Sequence, residues 1–318
     1  MFNVLIIGAG QIGSRHLQGL VSVSLNLNII VVDPSKKSLN TAQIRWKEVG
    51  GDQSSHRIIW FEDLPHNIKS FDLVIVATSS KNRAIIVDKV ARSASVQYWV
   101  IEKVLAQSRQ ELEFIDNSTS DAKAVWINIP RRLIFWHQQL KLKFYNKGPL
   151  LINKIGGMWG LACNSIHFID LVTWWTSESL LSVNTDKLDH TWFKAKRSGY
   201  FEICGELSVS FSGGSKLILQ SNQNNIEDIM NVELSDQSIW KINESKGIAS
   251  SSKKDTLYGN YDFQSEITGN MVTEIFSHGI CGLPTLKESS KQHSIFLDSM
   301  LNHWNTFRNS NDKVLPIT

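Results

Sequence analysis

Val4-Leu5-Ile6-Ile7-Gly8-Ala9-Gly10-Gln11-Ile12-Gly13 stands at the head of this chain and decides its first fold class. Four apolar residues run without a polar break, which is the mark of a strand covered on both faces. Three glycines follow at Gly-x-Gly-x-x-Gly spacing, and a helical stretch continues near residues 12–22. Each glycine has a physical task. Gly8 permits the tight turn, Gly10 lets backbone approach a pyrophosphate, and Gly13 lets helix pack on strand. Gln11 and Ile12 share that loop, where the helix start offers N–H groups and a positive dipole end to phosphate. A second apolar run, Ile29–Val32, ends at Asp33, where a carboxylate can accept hydrogen bonds from a ribose diol. Its charge repels a 2′-phosphate, so NAD is expected over NADP; Lys36 and Lys37 nearby could compensate.

Outward from this motif the pattern repeats. Leu73–Ala77, Trp99–Ile101 and Val125–Ile127 are further apolar runs, with helices expected near 36–48, 82–93 and 109–118. Strand–helix alternation of this kind predicts a doubly wound α/β domain with a parallel sheet, of the Rossmann type, over residues 1–127. Residues 128–318 read differently. A basic amphipathic helix is expected over 131–147 and a second helix over 163–175. From about 180 to 242 apolar and polar residues alternate, as in Leu207, Val209 and Phe211, then Leu217 and Leu219. Gly213-Gly214 between those runs signals a hairpin. This predicts a second α/β domain built on a large, mainly antiparallel open sheet. Residues 245–262, rich in Ser, Lys, Gly and Asn, read as a surface loop, and helices near 264–280 and 287–307 close the chain.

Composition narrows the function. The 318 residues carry 33 Lys and Arg against 30 Asp and Glu, too even a balance for a dedicated nucleic-acid binder. No apolar run reaches the roughly 18 residues of a membrane span. The opening MFNVLIIGAG has no basic lead and its glycines interrupt the apolar run, so a secretory leader is not expected. Cys163, Cys204 and Cys281 are far apart and form no CxxC pair. Neither a metal site nor a disulfide framework is expected, and a cytoplasmic location follows.

Chemistry is expected where strands end. Thr78 and Ser79 follow the third apolar run, where open α/β sheets bind ligands; Ser79 or Ser80 can equally cap the next helix. Glu102-Lys103 closes the next strand. A lysine there, partly buried beside a positive nicotinamide ring, has its pKa lowered toward neutrality and can pass a proton to or from a substrate oxygen. In Gly156-Gly157-Met158-Trp159-Gly160-Leu161-Ala162-Cys163-Asn164-Ser165-Ile166-His167-Phe168-Ile169-Asp170, helical spacing puts Cys163, His167, Asp170 and Trp174 on one stripe of a helix expected to be buried all round. His167 and Asp170 are within reach of each other. Arg131 and Arg132 follow Asn128-Ile129-Pro130 and could clamp a phosphate or carboxylate; the plainer reading is a solvated basic face with Lys141, Lys143 and Lys147.

Taken together, GAGQIGSRH, ATSS, EKV and GGMWGLACNSIHFID resemble the glucose-fructose oxidoreductase / inositol dehydrogenase family over essentially the whole chain. The resemblance implies that Lys103 matches a catalytic lysine and His167 an acid/base histidine. It implies NAD, a sugar-like substrate and a homodimer or homotetramer; the cleft between domains would hold the substrate, and Asn164, one position after Cys163, could supply a hydrogen bond there. Four positions depart from the family pattern. Val104 stands for proline, Cys163 for an aspartate, Ser165 for glycine, and Arg83 for a histidine.

The expected activity is hydride transfer between nicotinamide and a hydroxyl-bearing carbon of a sugar, nucleotide sugar or polyol, as in surface-glycan biosynthesis. Two alternatives stand beside it: redox-assisted glycoside cleavage, and a non-catalytic NAD-binding regulator. Retention of both Lys103 and His167 favours an enzyme.

Overall fold

The computed structural model describes residues 1–66 and 68–318. Strands and helices alternate at first: β1 (Phe2–Ile7), α1 (Gln11–Leu20), β2 (Leu27–Val32), α2 (Lys36–Glu48), β3 (Arg57–Phe61), β4 (Ser70–Val76), α3 (Arg83–Ser93), β5 (Ser95–Glu102), α4 (Arg109–Ser118) and β6 (Ala124–Asn128). A 3-10 turn, Pro130–Leu133, leads to α5 (Phe135–Phe144), β7 (Leu151–Gly156) and α6 (Leu161–Thr176). Next come β8 (Leu180–Leu188), β9 (Phe193–Lys194), β10 (Phe201–Glu202), β11 (Gly205–Phe211), β12 (Lys216–Ser221), β13 (Ile229–Glu233), β14 (Ile239–Asn243), β15 (Ile248–Ser251) and β16 (Thr256–Tyr258), followed by α7 (Gln264–His278) and α8 (Leu286–Arg308).

These elements form two compact units interleaved in sequence. The first comprises Met1–Ala106, Gln110–Leu133 and Asp262–Lys287; the second comprises Gln107–Arg109, Ile134–Tyr261 and Glu288–Thr318. A division by sequence at residue 127 assigns α7 to the second half. In the structure Met271, Val272 and Ile275 of α7 join Leu17, Leu20 and Leu27 in the first unit's core, because burying that apolar face needs the surface beside α1.

The first unit holds a six-stranded sheet in the order β3-β2-β1-β4-β5-β6, parallel throughout. The interior residues of β1, β2 and β4 are almost wholly excluded from solvent, as their unbroken apolar runs require. Strand order reverses between β1 and β4, so a crevice opens beyond their carboxyl ends. β3, Arg57–Phe61, was not legible as a strand; it lies at the sheet edge with Arg57 exposed and Ile58, Trp60 and Phe61 half-buried.

The second unit carries an eight-stranded sheet in the order β16-β15-β14-β13-β7-β12-β11-β8. All neighbours are antiparallel except β7 and β12, and β9 and β10 make a separate two-stranded ribbon. The hairpin at Gly213-Gly214 joins β11 to β12, with Ser210 opposite Lys216. Two expectations are corrected here. Residues 245–262 are not a loop, since β15 and β16 extend the sheet at its edge. Strands at a sheet's margin need few apolar residues, and in β15, next to the edge strand β16, Ala249 alone is wholly buried. The helix expected over 131–147 is broken at Ile134, whose extended backbone separates the 3-10 turn from α5.

Candidate active site

The loop after β1 is built as its glycines demand. Gly8 has φ +93°, and a Cβ on Gly13 would stand 1.7 Å from the Gly8 carbonyl oxygen, so α1 lies directly against the turn. A Cβ on Gly10 would meet nothing within 4 Å. Gly10, Gln11 and Ile12 are exposed at the α1 N-terminus, whereas Gly13 is buried. This is a turn packed on one side and open on the other, with the helix's free N–H groups at the open side. Arg45 of α2 holds the first turn of α1, donating to Gln11 Oε1 and Ser14 Oγ, each at 2.6 Å.

Asp33 ends β2 beside this loop. Its carboxylate accepts from the Ala9 N–H at 2.7 Å and the Ser35 N–H at 2.8 Å. Each oxygen keeps a second lone pair for a further donor. Lys36 is solvated and pairs with Glu62 at 3.4 Å. On the other side of the switch point, the Ala77 N–H donates to Ile7 O at 2.7 Å, which brings Thr78 and Ser79 to the same end of the sheet. Thr78 Oγ1 is shielded and has no hydrogen-bond partner among the described residues.

Lys103 follows the last residue of β5 and is half-buried. The Lys103–Val104 peptide is cis. Glu102, its neighbour, turns inward. His16 of α1 is fully buried, with Nε2 3.0 Å from Glu102 Oε1 and Nδ1 3.0 Å from Thr268 Oγ1. Asn128 at the end of β6 donates to the same Glu102 oxygen and, at 2.8 Å, to Gln264 Oε1. Gln264 Nε2 in turn donates to Thr268 Oγ1 at 3.0 Å. Burial pushes the Glu102 carboxyl up, but the hydrogen bond and charge of His16, the Asn128 amide and the Arg83 charge outweigh it and hold it below the usual carboxylate range. The carboxylate therefore anchors the strand end that presents Lys103.

Arg131 and Arg132 lie in the 3-10 turn just past Asn128, and both are buried. They are not part of a solvated face with Lys143 and Lys147, which are exposed.

In the second unit, α6 has no exposed residue. Cys163, His167 and Trp174 are half-buried along one stripe, Asn164 is half-buried next to Cys163, and Asp170 within the stripe is fully buried, accepting from Gln292 Nε2 at 3.4 Å. The carboxylate of Glu202 spans the first turn of α6, accepting from the Ala162 N–H at 2.8 Å and the Cys163 N–H at 3.2 Å. It satisfies two donors that no intrahelical carbonyl can reach. Asn164 Nδ2 donates to Trp159 O at 2.8 Å, closing the glycine-rich approach onto the helix. Beneath it, Lys154 of β7 is buried against the Trp159 and Phe168 rings and paired with Asp228.

Three anchoring residues were not singled out for a role in the sequence. His16 lies in the GAGQIGSRH stretch but carries no local sign of its partner, 86 residues away. Glu202 and Lys154 act on residues that only the sheet brings near. Burial pushes the Cys204 thiol up and the Cys281 thiol up to about 11, so neither is poised as a nucleophile. Among the described residues no group of three or more His, Cys, Asp or Glu is arranged to hold a metal ion, and no helix is long and apolar enough to cross a membrane.

A Rossmann-type unit joined to a unit with a broad, mostly antiparallel sheet is the class of architecture these features define. The family described as the TrkA-N domain matches residues 4–121. No curated protein matches the chain. Solved structures are similar over nearly its full length. An oxidoreductase from Agrobacterium radiobacter, in complex with NAD+, L-tartaric acid and magnesium, is 13% identical with a TM-score of 0.70, covering 96% of this chain and 97% of its own. Levoglucosan dehydrogenase, in complex with NADH and levoglucosan, is 14% identical with a TM-score of 0.69, covering 96% and 98%. UDP-N-acetylglucosamine 3-dehydrogenase from Acidithiobacillus ferrooxidans is 10% identical with a TM-score of 0.67, covering 95% and 97%. The fold implied by the resemblance to the glucose-fructose oxidoreductase / inositol dehydrogenase family is thus the fold of this chain.

Proposed function

We propose that this chain is an NAD-dependent oxidoreductase that moves a hydride between nicotinamide and a hydroxyl-bearing carbon of a sugar, nucleotide sugar or polyol. The observation that carries the reading is the placement of Lys103 in the same unit as an open glycine turn, at the carboxyl edge of the sheet whose switch point that turn occupies. The cradle fits a dinucleotide. Gly10 leaves room where backbone must approach a pyrophosphate, and the Asp33 carboxylate has capacity for ribose hydroxyls.

NAD, when bound, accepts or returns the hydride. The chain's own residues do the rest. The Gly8–Gly13 turn and the α1 N-terminus would hold the phosphates, with Gln11, Ile12, Thr78 and Ser79 as further groups that would bind the cofactor. As the hydride leaves the carbinol carbon, the hydroxyl proton passes to the Lys103 amine, so the oxygen becomes a carbonyl without carrying charge. His167 keeps the acid/base role that the resemblance gives it, and Asn164 the role of a substrate hydrogen-bonding group. Arg131 and Arg132 favour an anionic substituent such as a phosphate or carboxylate. The similar structures include complexes with levoglucosan and with L-tartaric acid and a dehydrogenase of a UDP-linked sugar, which span this range. The first unit is the cofactor domain and the second the substrate and oligomerisation domain of a cytoplasmic homodimer or homotetramer, acting in glycan biosynthesis.

The test begins with NADH binding, followed by nicotinamide fluorescence. Turnover is then assayed with levoglucosan, tartrate and UDP-N-acetylglucosamine. Lys103→Ala should keep NADH affinity and lose turnover by about 10²–10⁴-fold. Absence of any affinity for NADH refutes the reading.

A further inference from the structure

Arg83 is the first residue of α3 and is 1% exposed, among the largest fully buried side chains. Its guanidinium does not reach solvent. Nη1 donates to the carbonyl oxygens of Glu102 at 2.7 Å, Leu105 at 3.3 Å and Val104, and Nη2 donates to that of Thr78. Three of these four carbonyls belong to two loops, and the fourth, that of Glu102, closes β5. One loop begins at Thr78 beyond β4; the other follows β5 over 103–105 and carries Lys103. The β4–β5 ladder ends at Val76 opposite Ile101. Past that point the guanidinium continues, through a side chain, the connection that backbone pairing has stopped making.

A planar fork of five N–H donors suits this task. A lysine offers its donors from one point and does not span two loops. Burying the charge is costly, and four carbonyl dipoles with the Glu102 carboxylate offset that cost. An anion-binding role does not fit, because both terminal nitrogens already donate to backbone oxygens inside the unit.

We propose that Arg83 is a positioning residue that couples the Lys103 turn to the cofactor loop at Thr78, so that one guanidinium sets both the lysine's aim and the dinucleotide's seat. The inference rests on the reading of Lys103 and the glycine turn given above.

The experiment compares wild type, Arg83→Ala and Arg83→Lys with two substrate-free readouts. One is NADH affinity by nicotinamide fluorescence. The other is the rate at which trinitrobenzenesulfonate modifies Lys103, located by peptide mass spectrometry, with and without NADH. In wild type, NADH should slow modification of Lys103. Arg83→Ala should weaken NADH about tenfold or more and lose most of that protection. Millimolar guanidinium should restore both in Arg83→Ala, and not in Arg83→Lys, whose side chain fills the space. If Arg83→Ala does not fold, Arg83→Lys, which keeps the stem and the charge, must show both losses. Wild-type affinity and protection in a folded Arg83 variant overturn the coupling alone. Failure of the wild-type protein to bind NADH, or to protect Lys103 with it, removes the functional reading and this inference with it.

Discussion

Gly10 and Gly13 offer a sharp test because the structure gives them opposite surroundings. Gly13→Ala places a Cβ 1.7 Å from the Gly8 carbonyl oxygen, 2.8 Å from its carbon and 3.2 Å from the Ala77 side chain. The obstruction is backbone, so α1 must retreat by more than about 1 Å and carry its buried neighbours with it, an overpacking cost of roughly 1–3 kcal/mol. Gly10→Ala meets nothing within 4 Å, and the backbone there has φ −67° in the extended region that any L-residue adopts. Its native-state cost is small, and the lost freedom of the unfolded chain stabilises by about 0.4–1 kcal/mol. The added methyl does stand where a pyrophosphate must approach. Losing one close backbone contact and its hydrogen bond, about 1.4–3 kcal/mol, weakens NADH by about tenfold to a hundredfold. The assay pairs thermal or urea unfolding without ligand against NADH titration. Gly13→Ala should lose stability and binding together, and Gly10→Ala should lose binding alone. Wild-type NADH affinity in Gly10→Ala, or an unchanged unfolding midpoint in Gly13→Ala, refutes the reasoning.

Other expectations concern stability. Glu202→Ala unfastens two N–H groups at the start of α6 and should destabilise by about 1–2 kcal/mol, with faster hydrogen exchange at Ala162 and Cys163. Asp228→Ala should cost more than Lys154→Met, on the order of 3 kcal/mol, because it leaves a buried ammonium without its carboxylate while Met keeps the packing on Trp159 and Phe168; equal urea midpoints for the two variants would contradict this. His56 and His303 each accept a hydrogen bond at Nδ1, from the Leu27 N–H at 3.3 Å and Trp192 Nε1 at 3.2 Å. Burial lowers both pKa values, and in His303 the neighbouring His190 lowers it further. The folded state thus prefers the neutral rings, so their stabilisation is complete above about pH 6.5 and is lost as pH falls through the lower folded values. His303→Gln should flatten the fall in melting temperature between pH 7 and 5, and an unchanged slope counts against it.

The first unit's strands were readable because a parallel sheet is buried on both faces, and that leaves continuous runs such as Val4–Ile7 and Ile29–Val32. The glycine turn was readable because it is local. Gly-x-Gly-x-x-Gly needs only its neighbours to be what it is. Asp33, Thr78, Ser79 and Lys103 were readable for a related reason: strand ends sit at one side of a parallel sheet, so their positions follow once the strands are placed. Strands at or next to a sheet edge escaped, as at β3 and β16 and at β15 beside β16, since they are short of buried apolar residues and tolerate polar ones.

What holds the site was another matter. His16 beneath Glu102, Arg83 across two loops, and Glu202 over the α6 N-terminus all join residues through contacts that span up to 86 positions. A lone polar residue in a strand or helix looks the same whether it faces water or a buried partner. Local pattern therefore determined the fold class and the candidate chemistry. Tertiary structure decided which polar groups are buried together, because the cost of an unpaired buried charge is met only by a partner that folding itself delivers.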